Sequence, residues 1–274
     1  MHYLSYHFTV TPSQPGSEIL MAMIAEYGFE SFEMSENGFT AYINEDKNAN
    51  LNFSDLIFED FKYEFKIEKI TQVNWNEEWE KNFQPVVIEN LLQIRAPFHP
   101  TNKNVKHEIV IMPKMSFGTG HHQTTQLMCK AMCGVTLTNK RILDMGCGTG
   151  VLAILAKKLG AKEVLAIDLD EWSVENSIEN CAANSCADIN VKQGDIDLIK
   201  NEAEFDFILA NINKNILKTH LSVYSEKLNQ GGILFISGFF KSDVEELANF
   251  AITQNLKFKS QNVREEWAMV ILEK

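Results

Sequence analysis

At 274 residues, the chain is long enough for one large domain or for two, and its 45% hydrophobic content is ordinary for a globular protein. No apolar run approaches the ~20 residues that a helix needs to span a bilayer. The first residues carry no basic leader, so we expect neither a membrane segment nor a signal peptide. The five cysteines form no C-x-x-C pair, which favours free thiols in a reducing cytoplasm over a disulfide framework or a zinc site.

Charge is distributed unevenly along the chain. The net charge is −12, and residues 1–70 alone hold twelve acidic side chains and four lysines, a net charge of −8. A surface of this kind repels the phosphate backbone of a nucleic acid and attracts a basic protein. The alternative is that the acidity serves solubility alone.

The first seventy residues alternate between strand-like and helix-like patterns. Alternating polar and apolar residues mark the strands, and apolar residues four positions apart mark the helix faces. Strands are predicted over 2–11, 29–34, 39–43 and 63–70, and helices over 16–27 and 51–61. The pair Asn37-Gly38 is a hairpin signal between the two middle strands. The order β-α-β-β-α-β predicts a small α+β, ferredoxin-like domain over residues 1–70.

An aromatic stripe follows this domain. Trp75, Trp79 and Phe83 recur every four residues and share one face of a predicted helix, as in a linker that docks on a neighbouring surface. The residues from 86 to 96 and from 108 to 112 have the alternation of strands. We therefore assign residues 71–97 to a linker helix and strand that lead into a larger domain.

From Lys140 onward, strands and helices alternate, which is typical of a parallel sheet with crossover helices. Strands are predicted over 141–145, 163–168, 189–193, 205–210, 232–237, 257–264 and 267–272, and helices over 151–159, 171–184, 214–228 and 241–254. The larger domain is thus predicted to be α/β and Rossmann-like, with a seven-stranded sheet. Ligands of such sheets bind at the carboxyl ends of the strands, where the Gly146 loop, Asp168, Asp195 and Asn211 fall.

The segment Arg141–Gly150 has the pattern of a buried strand, a glycine-rich turn and the start of a helix. Its glycines permit a sharp turn and a close approach of ligand to main chain, and the helix directs free N–H groups at that ligand. Asp168 follows Gly146 by 22 residues, at the end of the next strand, a spacing that suits a carboxylate bound to ribose hydroxyls. These features predict a nucleoside-bearing cofactor.

The spacing of this turn disfavours a dinucleotide. The G-x-G-x-x-G fingerprint of NAD-binding proteins requires a glycine where Val151 stands. The pattern is instead D-x-G-x-G-x-G, with Asp144 leading. It resembles the first motif of class I S-adenosylmethionine methyltransferases, in which the leading acid lies near the amino-acid end of the cofactor.

A second loop rich in glycine, threonine and histidine spans residues 113–125. Its glycines permit close backbone approach, its threonines offer hydroxyls, and its phenylalanine offers a flat apolar ring. The loop residues predicted to contact the cofactor are Phe117, Gly118, Thr119 and Gly120. The same loop can also cap the next helix, with Thr124 or Thr125 as the N-cap residue.

The motifs F-G-T-G-x-H-x-T-T, D-x-G-C-G-T-G and A-N-I, the last at Ala210–Ile212, together resemble the ribosomal protein L-eleven methyltransferases, the PrmA family. The resemblance covers residues 70–274, and the predicted ferredoxin-like start agrees with the architecture of that family. It implies a class I methyltransferase domain at residues 98–274, with S-adenosylmethionine as the cofactor and no metal.

Roles carry over from this resemblance residue by residue. It implies cofactor contacts from Thr125, Gly146, Asp168 and Asn211, with Asp144 and Gly148 in the same glycine-rich motif. Asn211 is also expected to position the acceptor amine, and His122, the histidine of the first motif, to organise its loop. After A-N-I the family has an apolar residue, but here Asn213-Lys214 follows, which leaves the shape of the acceptor pocket open.

The resemblance implies methyl transfer to lysine side-chain amines and to the N-terminal α-amine of a basic large-subunit ribosomal protein. A cytoplasmic location without direct nucleic-acid or membrane binding is expected. The tetrad Asn211–Lys214 lacks the prolines and the aromatic residue of N-P-P-Y enzymes, which disfavours an amide or a base amine as acceptor. The alternatives are an RNA methyltransferase, another protein N-methyltransferase, a nicotinamide oxidoreductase and a non-enzymatic binding module. The target lysines, the number of methyl groups and the oligomeric state stay open.

Overall fold

The computed structural model describes residues 3–51, 53, 56–70 and 82–274. The chain divides into two units, Met1–Asn82 and Phe83–Lys274. Among the described residues, each unit has hydrophobic clusters of its own. Residues 83–97, predicted as the second part of a linker, group with the larger unit. The predicted linker helix with Trp75 and Trp79 lies outside the described residues.

The smaller unit is built on a four-stranded antiparallel sheet in the order β2-β3-β1-β4. Its strands are β1 Tyr3–Thr11, β2 Ser31–Ser35, β3 Gly38–Asn44 and β4 Lys62–Ile70. Helix α1, Ser13–Ile24, continues as a 3-10 turn at Ala25–Tyr27. It buries Leu20 and Ile24 against alternate residues of β1, because a strand turns every second side chain to the same face.

The second helix predicted over residues 51–61 is wrong for the described part of that segment. A 3-10 helix at Glu45–Asn50 takes its place, and residues 51, 53 and 56–61 are not helical. The apolar periodicity of this segment reflects the burial of its side chains and not a helix. Leu56 and Phe61 lie in the core, and the rings of Phe58 and Phe61 stack with their centroids 4.2 Å apart. The strand order agrees with a ferredoxin-like domain, which stays a prediction because the described part of residues 51–61 is not helical.

The larger unit is an α/β fold around a seven-stranded sheet, in the order β10-β9-β8-β11-β12-β14-β13. The first five of these strands run parallel, and the last two are antiparallel to their neighbours. The strands are β8 Arg141–Met145, β9 Glu163–Asp168, β10 Asn190–Gln193, β11 Phe205–Asn211, β12 Leu228–Phe240, β13 Lys257–Arg264 and β14 Trp267–Glu273. This is the predicted Rossmann-like sheet with its terminal hairpin.

Helices cover both faces of this sheet. They are α2 Gln123–Cys133, α3 Val151–Lys158, α4 Glu171–Ala183, α5 Lys214–Lys227 and α6 Val244–Thr253. Helices α2, α3 and α4 pack on one face, and α5 and α6 on the other. Alternate apolar residues of the central strands enter opposite clusters, so both faces of these strands are mainly apolar. Every helix among the described residues is too short or too polar to cross a membrane.

A separate three-stranded sheet precedes the main one. Its strands are β5 Val86–Ile88, β6 Leu92–Arg95 and β7 His107–Val110. The single strand predicted over 86–96 is therefore a hairpin, because Glu89 adopts a positive φ of 50° and turns the chain back. The pair β6–β7 is parallel.

Two asparagines of α4 and its C-cap residue, Asn184, attach the end of β7 to the main fold. Asn184 binds Val110 through both backbone groups, at 2.9 and 2.6 Å. Asn180 accepts from the N–H of Met112 at 2.8 Å and donates to the carbonyl of Thr149 at 3.0 Å. Asn176, one turn earlier, donates to the carbonyl of Met112 at 3.3 Å. These side-chain amides bond to the backbone at and after the end of β7, as a neighbouring strand would. Asn180 also bonds to the glycine-rich turn at Thr149.

We expect Asn180→Ala to lower the free energy of unfolding by about 2–4 kcal/mol, because it removes the partner of the buried Thr149 carbonyl and of the part-buried Met112 N–H. Urea denaturation measures this change. The matched control is Asn262→Ala on exposed strand β13, which should cost less than about 0.5 kcal/mol. Equal stabilities of the two variants would contradict the role of the amide.

A candidate cofactor site at the carboxyl ends of the strands

A cavity of about 550 Å³ opens where the carboxyl ends of β8 to β11 meet. The chain passes from β8 to β9 and β10 on one side and then crosses to β11 on the other. Such a reversal of strand order leaves a crevice at the sheet edge, which is where ligands bind in open α/β folds. The strand ends contribute Gly146, Asp168, Asp195 and Asn211 to the wall.

The glycine-rich turn forms the floor of this cavity. Gly146, Gly148 and Gly150 have positive φ values of 75°, 54° and 79°, which side-chain-bearing residues rarely adopt. The N–H of Gly148 donates to Oδ2 of Asp168 at 2.8 Å, and the N–H of Gly146 donates to the carbonyl of Ile167 at 2.8 Å. The turn and the predicted ribose-binding carboxylate are thus held together before any ligand arrives.

The loop that contains Phe117 lies directly on this turn. The N–H of Thr149 donates to the carbonyl of Phe117 at 2.8 Å, and its hydroxyl donates to the carbonyl of Gly118 at 2.7 Å. A Cβ on Gly148 would stand 2.2 Å from the Phe117 carbonyl oxygen, so only glycine permits the contact. The Phe117 ring is 52% exposed and lines the cavity. Two motifs that lie 31 residues apart therefore form one surface.

His122 begins helix α2. Its Nδ1 accepts from the N–H of Thr124 at 3.3 Å and lies 2.8 Å from the Thr124 hydroxyl. The N-cap predicted at Thr124 or Thr125 is therefore wrong by two or three residues, and both threonines are buried in the first turn. The imidazole also packs against Trp267 and Phe117, with ring centroids 4.5 and 5.2 Å away. These contacts agree with a loop-organising role.

Half of the predicted site residues line the cavity, and the others lie beside or beneath it. Those in the wall are Phe117, Gly146, Gly148, Asp168 and Asn211. Gly118 and Thr119 line an adjacent pocket that shares Met115, Ser116 and Phe117 with the first. Gly120 lines neither pocket and packs against Ile94. Asp144 and Thr125 are fully buried.

The burial of Asp144 has an electrostatic consequence. Its Oδ2 accepts from the N–H of Ala153 at 3.0 Å, whereas Oδ1 has no hydrogen-bond partner among the described residues. Loss of solvent raises the pKa of Asp144 to about 7, the Ala153 N–H opposes this shift, and the charge of Asp168 adds to it. Thr125 Oγ1 and Asn211 Oδ1 are two further buried oxygens without a partner in the described part of the chain.

Sequence reasoning missed one wall of the cavity. Ile216, Thr219 and His220 line it from α5, and Leu169, Asp170 and Ser173 line it from the junction between β9 and α4. The i, i+3, i+4 spacing on α5 was visible in the sequence, but nothing indicated which face of that helix meets the strand ends. Only the crossover from β10 to β11 decides this.

The departure after A-N-I does not reach the cavity. The side chain of Asn213 accepts from the N–H of Ile216 at 3.1 Å and caps α5. Lys214 pairs with Asp243 at 2.8 Å and with Glu246 at 3.1 Å. Both residues serve the attachment of α5 and leave Asn211 and Ile212 in the cavity wall.

The charge of the cavity selects its ligand. Asp168, Asp170 and Asp195 line it, and the described lining residues include no lysine or arginine. Carboxylates attract a cationic ligand and repel a pyrophosphate. This electrostatic pattern disfavours a dinucleotide and suits a sulfonium compound.

Comparison with known proteins agrees with this geometry. The model of the ribosomal protein L11 methyltransferase (PrmA) family matches residues 17–274. The chain belongs to this family. It is 42% identical to the ribosomal protein L11 methyltransferase of Porphyromonas gingivalis, over 98% of this chain and 96% of the relative. It is 41% identical to the protein of the same name from Bacteroides thetaiotaomicron, over 98% and 99%.

Solved structures share the architecture of this PrmA-family chain. The ribosomal protein L11 methylase from Lactobacillus delbrueckii subsp. bulgaricus superposes with a TM-score of 0.64 at 27% identity, over 69% of this chain and 98% of that one. A methyltransferase from Pyrococcus furiosus, at a TM-score of 0.51 and 17% identity, covers 60% of this chain and 88% of its own, and it shares the fold alone.

S-adenosylmethionine is the cofactor of this PrmA-family chain. The residues fit it: the cavity is acidic, Asp168 lies beside the glycine turn, and Asn211 offers a buried oxygen without a partner in the described structure. Among the described residues, no group of three or more His, Cys, Asp or Glu side chains could hold a metal ion. The individual cofactor contacts stay predictions.

We expect Gly148→Ala to abolish cofactor binding, because its Cβ would collide with the Phe117 carbonyl and separate the two loops. Calorimetry with S-adenosylhomocysteine measures the loss. Gly231→Ala is the matched control: its φ of 76° is also positive, but nothing lies within 4 Å of the new Cβ. It should cost about 1–2 kcal/mol of stability and leave binding intact. Binding by both variants would contradict the prediction.

The raised pKa of Asp144 predicts a pH-dependent stability. Between about pH 4 and pH 7 the folded carboxyl holds a proton that the unfolded chain has lost, so this contribution to stability falls as the pH rises. Asp144→Asn removes the effect. From pH 5 to pH 8, the free energy of unfolding of the variant should therefore rise relative to wild type by up to about 3 kcal/mol.

Urea denaturation at the two pH values measures this difference. The control is Asp188→Asn on the surface, where the hydrogen bond from Lys157 lowers the carboxyl pKa, so that it titrates below the tested range. Asp188→Asn should show the same pH dependence as wild type. If Asp144→Asn did so too, the buried carboxyl would not be the group that titrates.

Proposed function

We propose that this PrmA-family chain transfers methyl groups from S-adenosylmethionine to lysine side-chain amines and to the N-terminal α-amine of ribosomal protein L11. The observation that carries the proposal is the similarity to relatives named ribosomal protein L11 methyltransferase, which extends over 98% of the chain. Both units of the fold therefore have counterparts in those relatives. A cytoplasmic location and the absence of direct nucleic-acid binding stay predictions.

The acceptor must reach the cavity as a neutral amine. A free lysine is ~99.9% protonated at neutral pH, since its pKa is ~10.4. The cofactor, when bound, supplies a methyl group on a positively charged sulfur. That charge and partial loss of solvent both disfavour the ammonium form of a neighbouring amine. We therefore assign no dedicated strong base, and correct positioning supplies much of the rate.

Asn211 is the residue we propose for that positioning. It ends β11 at the cavity wall, and its Oδ1 is buried without a partner in the described part of the structure. A buried amide oxygen of this kind gains a hydrogen bond when an N–H donor arrives. An incoming amine would supply the donor, and its lone pair would then be directed away from Asn211.

We further propose that the smaller unit recognises the protein substrate. Residues 1–70 carry a net charge of −8, and this unit has its own aromatic core. A negatively charged surface attracts a basic ribosomal protein and repels RNA. With recognition and chemistry on separate units, several amines of one substrate can be presented to a single cavity.

The deciding experiment incubates the enzyme with labelled S-adenosylmethionine and, separately, with purified L11 and ribosomal RNA. Mass spectrometry of L11 should locate methyl groups on lysine amines and on the N-terminal amine. A chain truncated to residues 83–274 should bind S-adenosylhomocysteine but leave L11 unmodified, because the larger unit has its own core. Label on RNA alone would favour the RNA methyltransferase alternative, and label on L11 after truncation would refute recognition by the smaller unit.

We expect Asn211→Ala to reduce turnover with L11 by about 100-fold, with a much smaller effect on S-adenosylhomocysteine affinity, because the variant removes the oxygen that orients the amine. Methyl-transfer kinetics and calorimetry separate the two effects. Asn213→Ala is the matched control. It removes the cap of α5 at a cost of about 1 kcal/mol in stability and should retain turnover. Full turnover by Asn211→Ala would rule out the positioning role.

A further inference from the structure

His220 and Tyr224 form a pair on α5 that the proposed reaction does not use. Nδ1 of His220 lies 3.1 Å from the hydroxyl of Tyr224, and the two rings meet edge to face with centroids 5.6 Å apart. Tyr224 is fully buried in the core beneath the sheet, whereas His220 is half-buried and lines the cavity. A hydrogen bond to a core residue thus holds Nδ1 of the imidazole in place.

The buried hydroxyl determines which nitrogen of His220 carries the proton. Burial raises the pKa of Tyr224, so its O–H stays intact. A buried O–H without an acceptor is costly, and Nδ1 of His220 is the partner that the structure provides. Nδ1 therefore accepts. Burial lowers the pKa of His220, although Asp195 opposes this shift, and a neutral imidazole whose Nδ1 accepts bears its hydrogen on Nε2.

The neighbourhood of His220 then offers one donor and one acceptor. Asp195 lines the same cavity and is close enough for its charge to act on the imidazole. One oxygen of Asp195 accepts from the N–H of Asp197 at 3.0 Å, and a carboxylate has capacity for further bonds. An adenine ring presents the complementary pattern along one edge, since its exocyclic amine donates and the adjacent ring nitrogen accepts.

We propose that His220 is a specificity-determining residue for the base of the cofactor: its Nε2–H donates to a ring nitrogen of adenine, beside the carboxylate of Asp195. Tyr224 is the positioning residue that keeps the donor on Nε2. The inference rests on the proposed function, for which S-adenosylmethionine is the cofactor. It predicts discrimination against hypoxanthine, in which an oxygen replaces the amine and the adjacent nitrogen bears a hydrogen, so that both bonds are lost.

The test is calorimetric titration of the full chain with S-adenosylhomocysteine and with its deaminated analogue, S-inosylhomocysteine. Wild type should prefer the adenine compound by on the order of a hundredfold, because two polar pairs are lost in the analogue. His220→Ala should bind S-adenosylhomocysteine roughly five- to tenfold more weakly, and its preference should fall to about tenfold. His220→Gln, which retains an N–H donor, should recover part of both.

Nitrogen NMR of the imidazole in the ligand-free chain gives a readout apart from binding. Wild type should show the hydrogen on Nε2, and Tyr224→Phe should show a mixture of both neutral forms. His107→Ala is the matched control, because His107 is also partly buried but lies outside the cavity wall. It should bind both compounds as wild type does.

The outcomes distinguish the identity of the cofactor from the role of His220. If wild type binds neither compound, the failure lies with S-adenosylmethionine as the methyl donor and not with His220. If wild type binds S-adenosylhomocysteine but His220→Ala keeps the full preference over the inosyl analogue, the assignment of His220 to the base is overturned. A hydrogen on Nδ1 in wild type would overturn it as well.

Discussion

The site depends on direct contact between two stretches of bare backbone. Thr149 donates hydrogen bonds to the carbonyls of Phe117 and Gly118. The loops approach so closely at Gly148 that a side chain at this position would collide with the Phe117 carbonyl. This contact places the Phe117 ring at the rim of a cavity whose floor is the glycine turn. Because backbone geometry is stiffer than side-chain geometry, the cavity wall is shaped before a ligand arrives.

The same region tolerates local costs that the surrounding fold offsets. Asp144, Thr125 and Asn211 each keep a buried oxygen without a partner among the described residues, and such atoms are destabilising. Apolar clusters on both faces of the sheet supply the opposing stabilisation. The asparagines of α4 add to it, because Asn180 bonds both to Met112 and to the carbonyl of Thr149. A destabilised site on a well-packed sheet is typical of a binding pocket.

Separate cores also allow separate functions. The smaller unit has an aromatic core, and its residues 1–70 carry two-thirds of the net charge, whereas the larger unit has the cavity. Under the proposed function, charge attraction acts on the substrate protein and the acidic cavity acts on the cationic donor. Under the proposed role of His220, the core side of α5 also influences the cavity, because the buried hydroxyl of Tyr224 decides which ring nitrogen of His220 carries the hydrogen.

The sequence by itself determined the seven-stranded sheet, because apolar strands and amphipathic helices leave local periodicities of their own. It also determined the glycine turn and Asp168, since positive φ and fixed spacing are local constraints. Local patterns did not distinguish burial from helix over residues 51–61, nor a hairpin from one strand over 86–96. They placed the α2 cap at a threonine, where His122 in fact serves.

Only the tertiary structure decided which side chains share the cavity. In the folded chain, Asp144 and Thr125 are buried and Gly120 packs against Ile94. Thr219 and His220 of α5 lie in the cavity wall. The physical reason is that the crossover from β10 to β11 and the packing of α5 join residues distant in sequence. No local periodicity encodes which of them meet.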